Sequence, residues 1–187
     1  MAKQFDQIED AHKTFIEEQH MFFVATAGQD GTVNLSPKGM DSLRVLGPNR
    51  IVWLNMTGSG NETAGHLLQN PRMTLMWCSF TKRPMILRAY GTARAVHRDA
   101  SDWDTLSALF PGGPEKRQVY DLSVEMMQTS CGYAVPFMDY AGPRETLAHW
   151  AKDKGADRIR DYWREKNQTT IDGAPTHIVA RNIDGAG

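Results

Sequence analysis

The 187-residue sequence holds only two cysteines, Cys78 and Cys131, with neither a CxxC pair nor a zinc-ligand spacing. That excludes a disulfide-stapled scaffold and points to a reducing compartment. An excess of one charge is missing too. Basic residues number 21 and acidic ones 22, for a formal net charge of -1, so no global field draws nucleic acid or an anionic membrane. No apolar run approaches the length of a membrane span, and the opening MAKQFDQIED lacks an apolar signal core. The expectation is a cytoplasmic protein with no nucleic-acid partner and no membrane partner. Hydrolase signatures are also absent: there is no HExxH, no meaningful Ser-His-Asp order and no carboxylate pair suited to acid–base work. No metal site is expected, and no internal repeat or low-complexity tract is present.

The residues that are present alternate as strands do. Residues 21–27 are rich in Phe and Val, and Asp30-Gly31 marks a hairpin turn because it tolerates positive φ. The chain returns over 32–36, and Pro37 should stop regular pairing and leave Lys38 at a sheet rim. Further strands are expected at 43–46, 50–56, 72–79 and 85–97, the last with Gly91 inside it as a sign of a bulge or close backbone approach. Apolar spacing predicts helices over 5–19, 61–70 and 99–110. The PGGP loop that follows reads as a loop and not a domain linker. Residues 118–128 fit strand or helix, with the extended exit over 130–136 favouring strand; 143–154 and 156–167 read as two more helices, and the tail from Thr169 as Gly-, Thr- and Asp-rich with a frayed end. Hairpin-linked antiparallel strands with one inserted helix make this a mainly β fold with flanking helices, a small barrel and not a Rossmann sheet.

The stretch 57–63, Thr-Gly-Ser-Gly-Asn-Glu-Thr, carries the chemistry. A glycine-rich strand-to-helix turn offers unobstructed backbone N–H groups and the unpaired donors of a helix start. Thr57, Ser59, Asn61 and Thr63 add hydroxyl and amide groups. Such a place suits a phosphate, a ribityl chain or another anionic handle. The plain alternative is an ordinary loop with Ser59 or Asn61 as helix cap.

The segments VNLSPKG, IVWLNMTGSGNETAGHL, NPRMTLMWCSF and ILRAYGTARAV together resemble the pyridoxamine 5'-phosphate oxidase-like family of FMN-binding split β-barrels. TGSGNETAGHL and SCGYAVP resemble a subgroup related to those oxidases. The resemblance spans roughly residues 5–136. It implies a split barrel over 1–142 that binds flavin, with 143–187 as a helical extension packed on the same domain. It also implies a homodimer with FMN at the subunit interface, and FMN-dependent oxidoreduction of a small molecule. The positions it implies for the cofactor are Asn34, Ser36, Pro37, Lys38, Thr57, Gly58, Ser59, Asn61, Glu62, Thr63 and Arg88. At Asn61-Glu62-Thr63 the chain departs from the family's Ser-Arg-Lys, which faces the phosphate. Two unit charges roughly 6 Å apart at an effective dielectric near 20 interact by about 3 kcal/mol. A Glu62 turned to the phosphate would therefore oppose it, whereas one turned to solvent would only favour the helix start. Lys38 and Arg88 would then supply the positive charge.

Other candidates have plainer readings beside the functional ones. His12 and His66 read as packing side chains, with acid–base work near a flavin as the alternative for His66. Arg88 and Arg94 share a strand face, to bind an anionic substrate or to meet solvent. Cys131 would need a lowered pKa to act as a thiol catalyst. Trp53, Trp77, Met73, Leu75 and Met76 read as core or dimer interface, and Lys82-Arg83 as a solvated turn. Helices over 143–167 stand in place of the family's C-terminal substrate pattern, which argues against pyridoxamine phosphate as substrate. The alternative function is a non-catalytic module that holds flavin, deazaflavin or haem, or a cofactor-free dimer.

Overall fold

The computed structural model describes residues 2–185. Eight strands form one antiparallel sheet: β1 Lys3–Phe5, β2 Phe22–Ala27, β3 Val33–Lys38, β4 Leu43–Gly47, β5 Arg50–Met56, β6 Arg72–Cys78, β7 Ile86–Val96 and β8 Lys116–Ser130. Their order is β3-β2-β6-β7-β8-β5-β4, with β1 joined to β8. The sheet does not close, because β3 and β4 end its path without pairing, and this is the expected split barrel. Four helices attach to it: α1 Asp10–Glu18, α2 Glu62–Gln69, α3 Trp103–Ser107 and α4 Thr146–Lys166.

The strand pattern follows from alternation. Val24, Trp53, Leu75, Trp77, Leu87, Tyr120 and Leu122 all point into one fully buried interior, as period-2 placement requires. Met76 turns to the opposite face. A second apolar layer lies outside the sheet, where Val52, Leu54, Val96 and Val119 meet Leu106 and Phe110. A third joins Ala151, Ile159 and Trp163 of α4 to Ile178 of the tail.

Strand β8 serves three partners, and one bulge makes this possible. It pairs with β7 along most of its length, with β5 up to Ser123, and with β1 from Met127 onward. At the handover Tyr90 faces Met126 and Gly91 faces Val124, so Glu125 is left over. Asn49 fills the gap: its carbonyl accepts the Val124 N–H at 2.8 Å, and its Nδ2 donates to the carbonyls of Val124 at 3.0 Å and Asp6 at 2.9 Å. Gly91 is the residue that permits the approach, since a Cβ there would lie 1.9 Å from the Ser123 carbonyl oxygen.

Some expected boundaries shift. The helix expected over 5–19 begins only at Asp10, because residues 3–5 pair with β8. His12 packs edge-on to Phe5 at 4.6 Å, and its Nδ1 accepts the Glu9 N–H at 3.1 Å, so it is a capping and packing residue. The helix expected over 99–110 shortens to a five-residue α3. The two helices expected over 143–167 form as α4, which kinks at Gly155 (φ 72) and begins at Thr146. The tail from Thr169 does not run free. Thr170, Thr176, Ile178 and Asn182 are buried, and a π-helical turn spans Ala180–Asp184. The expectation of a frayed end falls on residues 186–187, outside the described residues.

The variant Gly91→Ala should lose about 2–4 kcal/mol of stability, since main-chain atoms would have to move apart to admit a methyl group. Urea unfolding measures this; an unchanged midpoint would contradict the role given to Gly91.

Candidate functional site

Three chain segments meet at one end of the barrel: the approach to β2, the exit of β3, and the turn between β5 and α2. Together with the segment before α4 they enclose a cavity of about 650 Å³. Its floor is Met21, Gly39, Met40, Thr57 and Gly58; its outer wall is Tyr140, Arg144, Leu147, Trp150 and Tyr162. His20 and Tyr140 stack at 3.6 Å with their planes 11° apart, and they separate it from a neighbouring cleft of about 700 Å³ lined by Lys13, Glu17, Asp41 and Arg44. The main cavity is thus largely aromatic and apolar, a shape that accepts a flat ring system.

Strand β3 carries Lys38 at its end, but pairing does not stop at Pro37 as expected: Pro37 faces Phe23 and Lys38 faces Phe22, which an edge strand allows. Asn34, Ser36 and Lys38 alternate onto the inner face of β3 while Val33, Leu35 and Pro37 point outward. Ser36 donates to Asn34 Oδ1 at 3.0 Å. The Lys38 ammonium lies 5.4 Å from the centre of the buried Trp53 ring and has no carboxylate partner among the described residues. Burial, with the nearby Arg117 charge as a second cause, lowers its pKa to about 8.

Arg117 is the functional candidate that sequence reasoning missed. It is 2% exposed, and no carboxylate pairs with it among the described residues. Instead its Nη1 donates to the Gly58 carbonyl at 3.3 Å and to Asn167 Oδ1 at 2.8 Å, and its Nε finds no acceptor. Burial lowers its pKa to about 10, leaving it charged at neutral pH. The hydroxyl of Tyr120 is buried nearby without a hydrogen-bond partner, and burial pushes its pKa up. The sequence signal was faint: Glu115-Lys116-Arg117 looks like a solvated charge run after a Pro-Gly loop, and only the strand register buries it.

The turn itself is fastened from beneath. Thr57 Oγ1 donates to the Glu115 carbonyl at 3.0 Å and accepts the Trp163 indole N–H at 2.8 Å. Asn61 Oδ1 accepts from Gln118 Nε2 at 3.2 Å, and its Nδ2 donates to the Asn167 carbonyl at 3.3 Å. Glu62 turns neither to the cavity nor to open solvent, for its Oε2 accepts the Ile171 N–H at 3.0 Å. Thr63 is buried beside Thr26, which also bonds His66 Nδ1 at 3.1 Å. His66 is therefore a packed side chain. Ser59 is exposed and gives only its carbonyl, to Asn167.

Arg88 does not join this group. The pairing places Pro37, Phe23, Met76 and Arg88 in one row on the outer face, whereas Lys38 faces inward. Its Nη1 donates to Ser130 Oγ at 3.1 Å. The cation beside Lys38 is Arg117, in place of the expected Arg88. Arg94 is spent on Asp102 and Asp121. Cys131 is exposed beyond β8, Cys78 is half-buried with its thiol pushed up by burial, and the described residues hold no metal-ligand cluster.

A sequence pattern described as pyridoxamine 5'-phosphate oxidase matches residues 8–131. Among curated proteins, the pyridoxamine 5'-phosphate oxidase family protein ustO of Aspergillus flavus is 28% identical over 198 residues, covering 91% of this chain and 76% of that protein. Among solved structures, HupZ of Group A Streptococcus superposes with a TM-score of 0.52 at 19% identity, over 66% of this chain and 99% of that one. A Clostridium acetobutylicum protein related to general stress protein 26 does so at 0.51 and 17%, over 65% and 86%. At these identities the structures speak for the fold alone. The matched pattern ends before Trp163 and Asn167.

The depressed pKa of Lys38 carries a stability consequence. In the unfolded chain the ammonium keeps its proton to about 10.5, but in the fold it gives it up near 8. Between those values the unfolded chain binds more protons, so stability rises with pH, and below 8 the buried charge is a net cost. Lys38→Met should therefore stabilise the protein at pH 7 by about 1–3 kcal/mol and flatten that rise. Denaturant melts at pH 7 and pH 9.5 test it; a destabilised variant at pH 7 would contradict the assignment.

Proposed function

The chain belongs to the pyridoxamine 5'-phosphate oxidase family, and from that premise we propose that it is a flavin-dependent oxidoreductase acting on a small molecule. FMN is the cofactor the family resemblance implies. The observation that carries the reading is an aromatic-walled cavity of about 650 Å³ at the exit of β3, lined by Gly39 and Met40 directly after Lys38, whose half-buried ammonium has no carboxylate partner among the described residues.

A flavin, when bound, supplies the capacity to accept and pass on hydride or electrons. The chain's own residues bind and orient. Lys38 brings a positive charge that favours an electron-rich ring edge, and a low dielectric around it strengthens that preference. Thr57 and Gly58 form a fixed part of the floor because Trp163 and Glu115 hold the Thr57 hydroxyl. Tyr140, Trp150 and Tyr162 offer faces for stacking. Lys38 also holds a proton that it can release near pH 8.

The ring end of the site fits a flavin; the family's phosphate position does not, because Asn61, Glu62 and Thr63 are engaged within the chain. A second copy of the chain would complete the exposed side. Val33 is 73% exposed and Leu35 62% on the edge strand β3, and Tyr133, Phe137 and Met138 stand bare on the arm after β8. Apolar groups in such number on an open sheet edge suit a homodimer interface.

Sedimentation of flavin-loaded protein, followed at the flavin's visible absorbance, should show the chromophore moving with a dimer. Anaerobic reduction by NADPH or light, then admission of air, should bleach it and restore it. A bound but redox-inert chromophore would favour a binding module, and a monomer would remove the shared site.

A further inference from the structure

The N-terminal end of α2 is covered by the chain's own C-terminal segment. Asn167, 0% exposed, is the centre of the contact. Its Nδ2 donates to the carbonyls of Gly58 at 3.0 Å and Ser59 at 3.2 Å, and its Oδ1 takes the Arg117 guanidinium at 2.8 Å. Its own carbonyl accepts from Asn61 at 3.3 Å and from Thr176 Oγ1 at 2.6 Å. One turn further along, Glu62 Oε2 receives the Ile171 N–H, and a Cβ on Gly65 would lie 2.3 Å from Thr170 Cγ2. Asp172 extends the seam to the β2–β3 hairpin, accepting the Thr32 N–H at 2.8 Å and its hydroxyl at 2.6 Å.

This arrangement has the wrong polarity for a phosphate. The turn shows carbonyl oxygens, not N–H groups, to Asn167 and Arg117. The buried cation that could have met a phosphate spends its Nη1 on the Gly58 carbonyl and Asn167 Oδ1, leaving only its Nε without an acceptor. Glu62 leaves a carboxylate at the helix start, fixed there by the tail. Anion sites at helix starts work because donors and positive charge converge on the ligand. Here acceptors and a negative charge converge, and chain atoms fill the inner side.

We propose that this protein recognises its flavin through the ring and not through a phosphate at α2, so that riboflavin serves it about as well as FMN. This rests on the flavin reading above and narrows it to a cofactor class: an isoalloxazine, with or without a phosphate. The positive groups left for the ligand lie away from α2: Arg144 in the cavity wall and Lys38 at the exit of β3.

The test is a fluorescence-quenching titration of full-length apoprotein with FMN and with riboflavin, in phosphate-free buffer. Dissociation constants within about tenfold of each other are expected, where a charged phosphate clamp would separate them by far more. FMN binding tighter by more than about tenfold would overturn the inference while leaving the flavin reading intact. Binding of neither would overturn both. Glu62→Gln keeps an acceptor for the Ile171 amide but removes the charge, and it should leave the ratio of the two constants unchanged. A gain confined to FMN would place the phosphate beside Glu62 and refute the proposal.

Discussion

The buried guanidinium of Arg117 is the interaction on which the rest of the site depends. A charge taken out of water without a counter-ion is costly, and here it is tolerated because neutral dipoles surround it. The Gly58 carbonyl and the Asn167 side chain supply two of them. Its own backbone carbonyl accepts from Asn182 Nδ2, which in turn offers Oδ1 to His97 Nδ1 at 2.8 Å. Burial lowers the His97 pKa to about 4, so that contact is made by a neutral ring. The glycine-rich turn, the start of β8, the end of α4 and the tail thus share one polar knot.

That knot explains why the C-terminal extension is part of the site. Trp163 reaches from α4 to Thr57, and Arg98 lies 5.1 Å from the same indole ring while donating to the Lys116 carbonyl at 2.8 Å. Tyr162, its neighbour on α4, turns to the cavity instead. One helical turn therefore both ties the floor and forms the wall. Fixing the floor through side-chain bonds to backbone gives geometric precision that an isolated surface loop lacks.

Much of this was legible in the sequence, and the rest was not for definite reasons. Alternation revealed the strands, Asp30-Gly31 the hairpin and Gly91 the bulge, whereas Pro37 did not end pairing because it sits on an edge strand. Each is a local signal. Arg117 was missed, and Arg88 was grouped with Lys38, because their places are set across the sheet: pairing puts Arg88 on the outer face and buries Arg117 beneath Asn167, 50 residues further on. The packing of the tail over 169–185 was not legible for a similar reason. Its Gly, Thr and Asp residues are those of mobile ends, yet here Asp172 bonds Thr32 across the fold while Thr170 and Thr176 bond Ala174 and Asn167 within the segment. Composition cannot distinguish the two cases, since both use turn-forming residues.

The central claim is that the segment 167–176 is a built part of the site and not an appendage laid over it. Native-state amide hydrogen exchange tests it most directly, read at Asn167, Thr170, Ile171 and Thr176, whose N–H groups are bonded to Trp163, Ala174, Glu62 and Gln168. The account predicts protection in the free protein that approaches that of the barrel strands β5 and β8. Exchange at the rate of an unstructured chain would contradict it, and would return the glycine-rich turn to the open, donor-lined state that its sequence suggests.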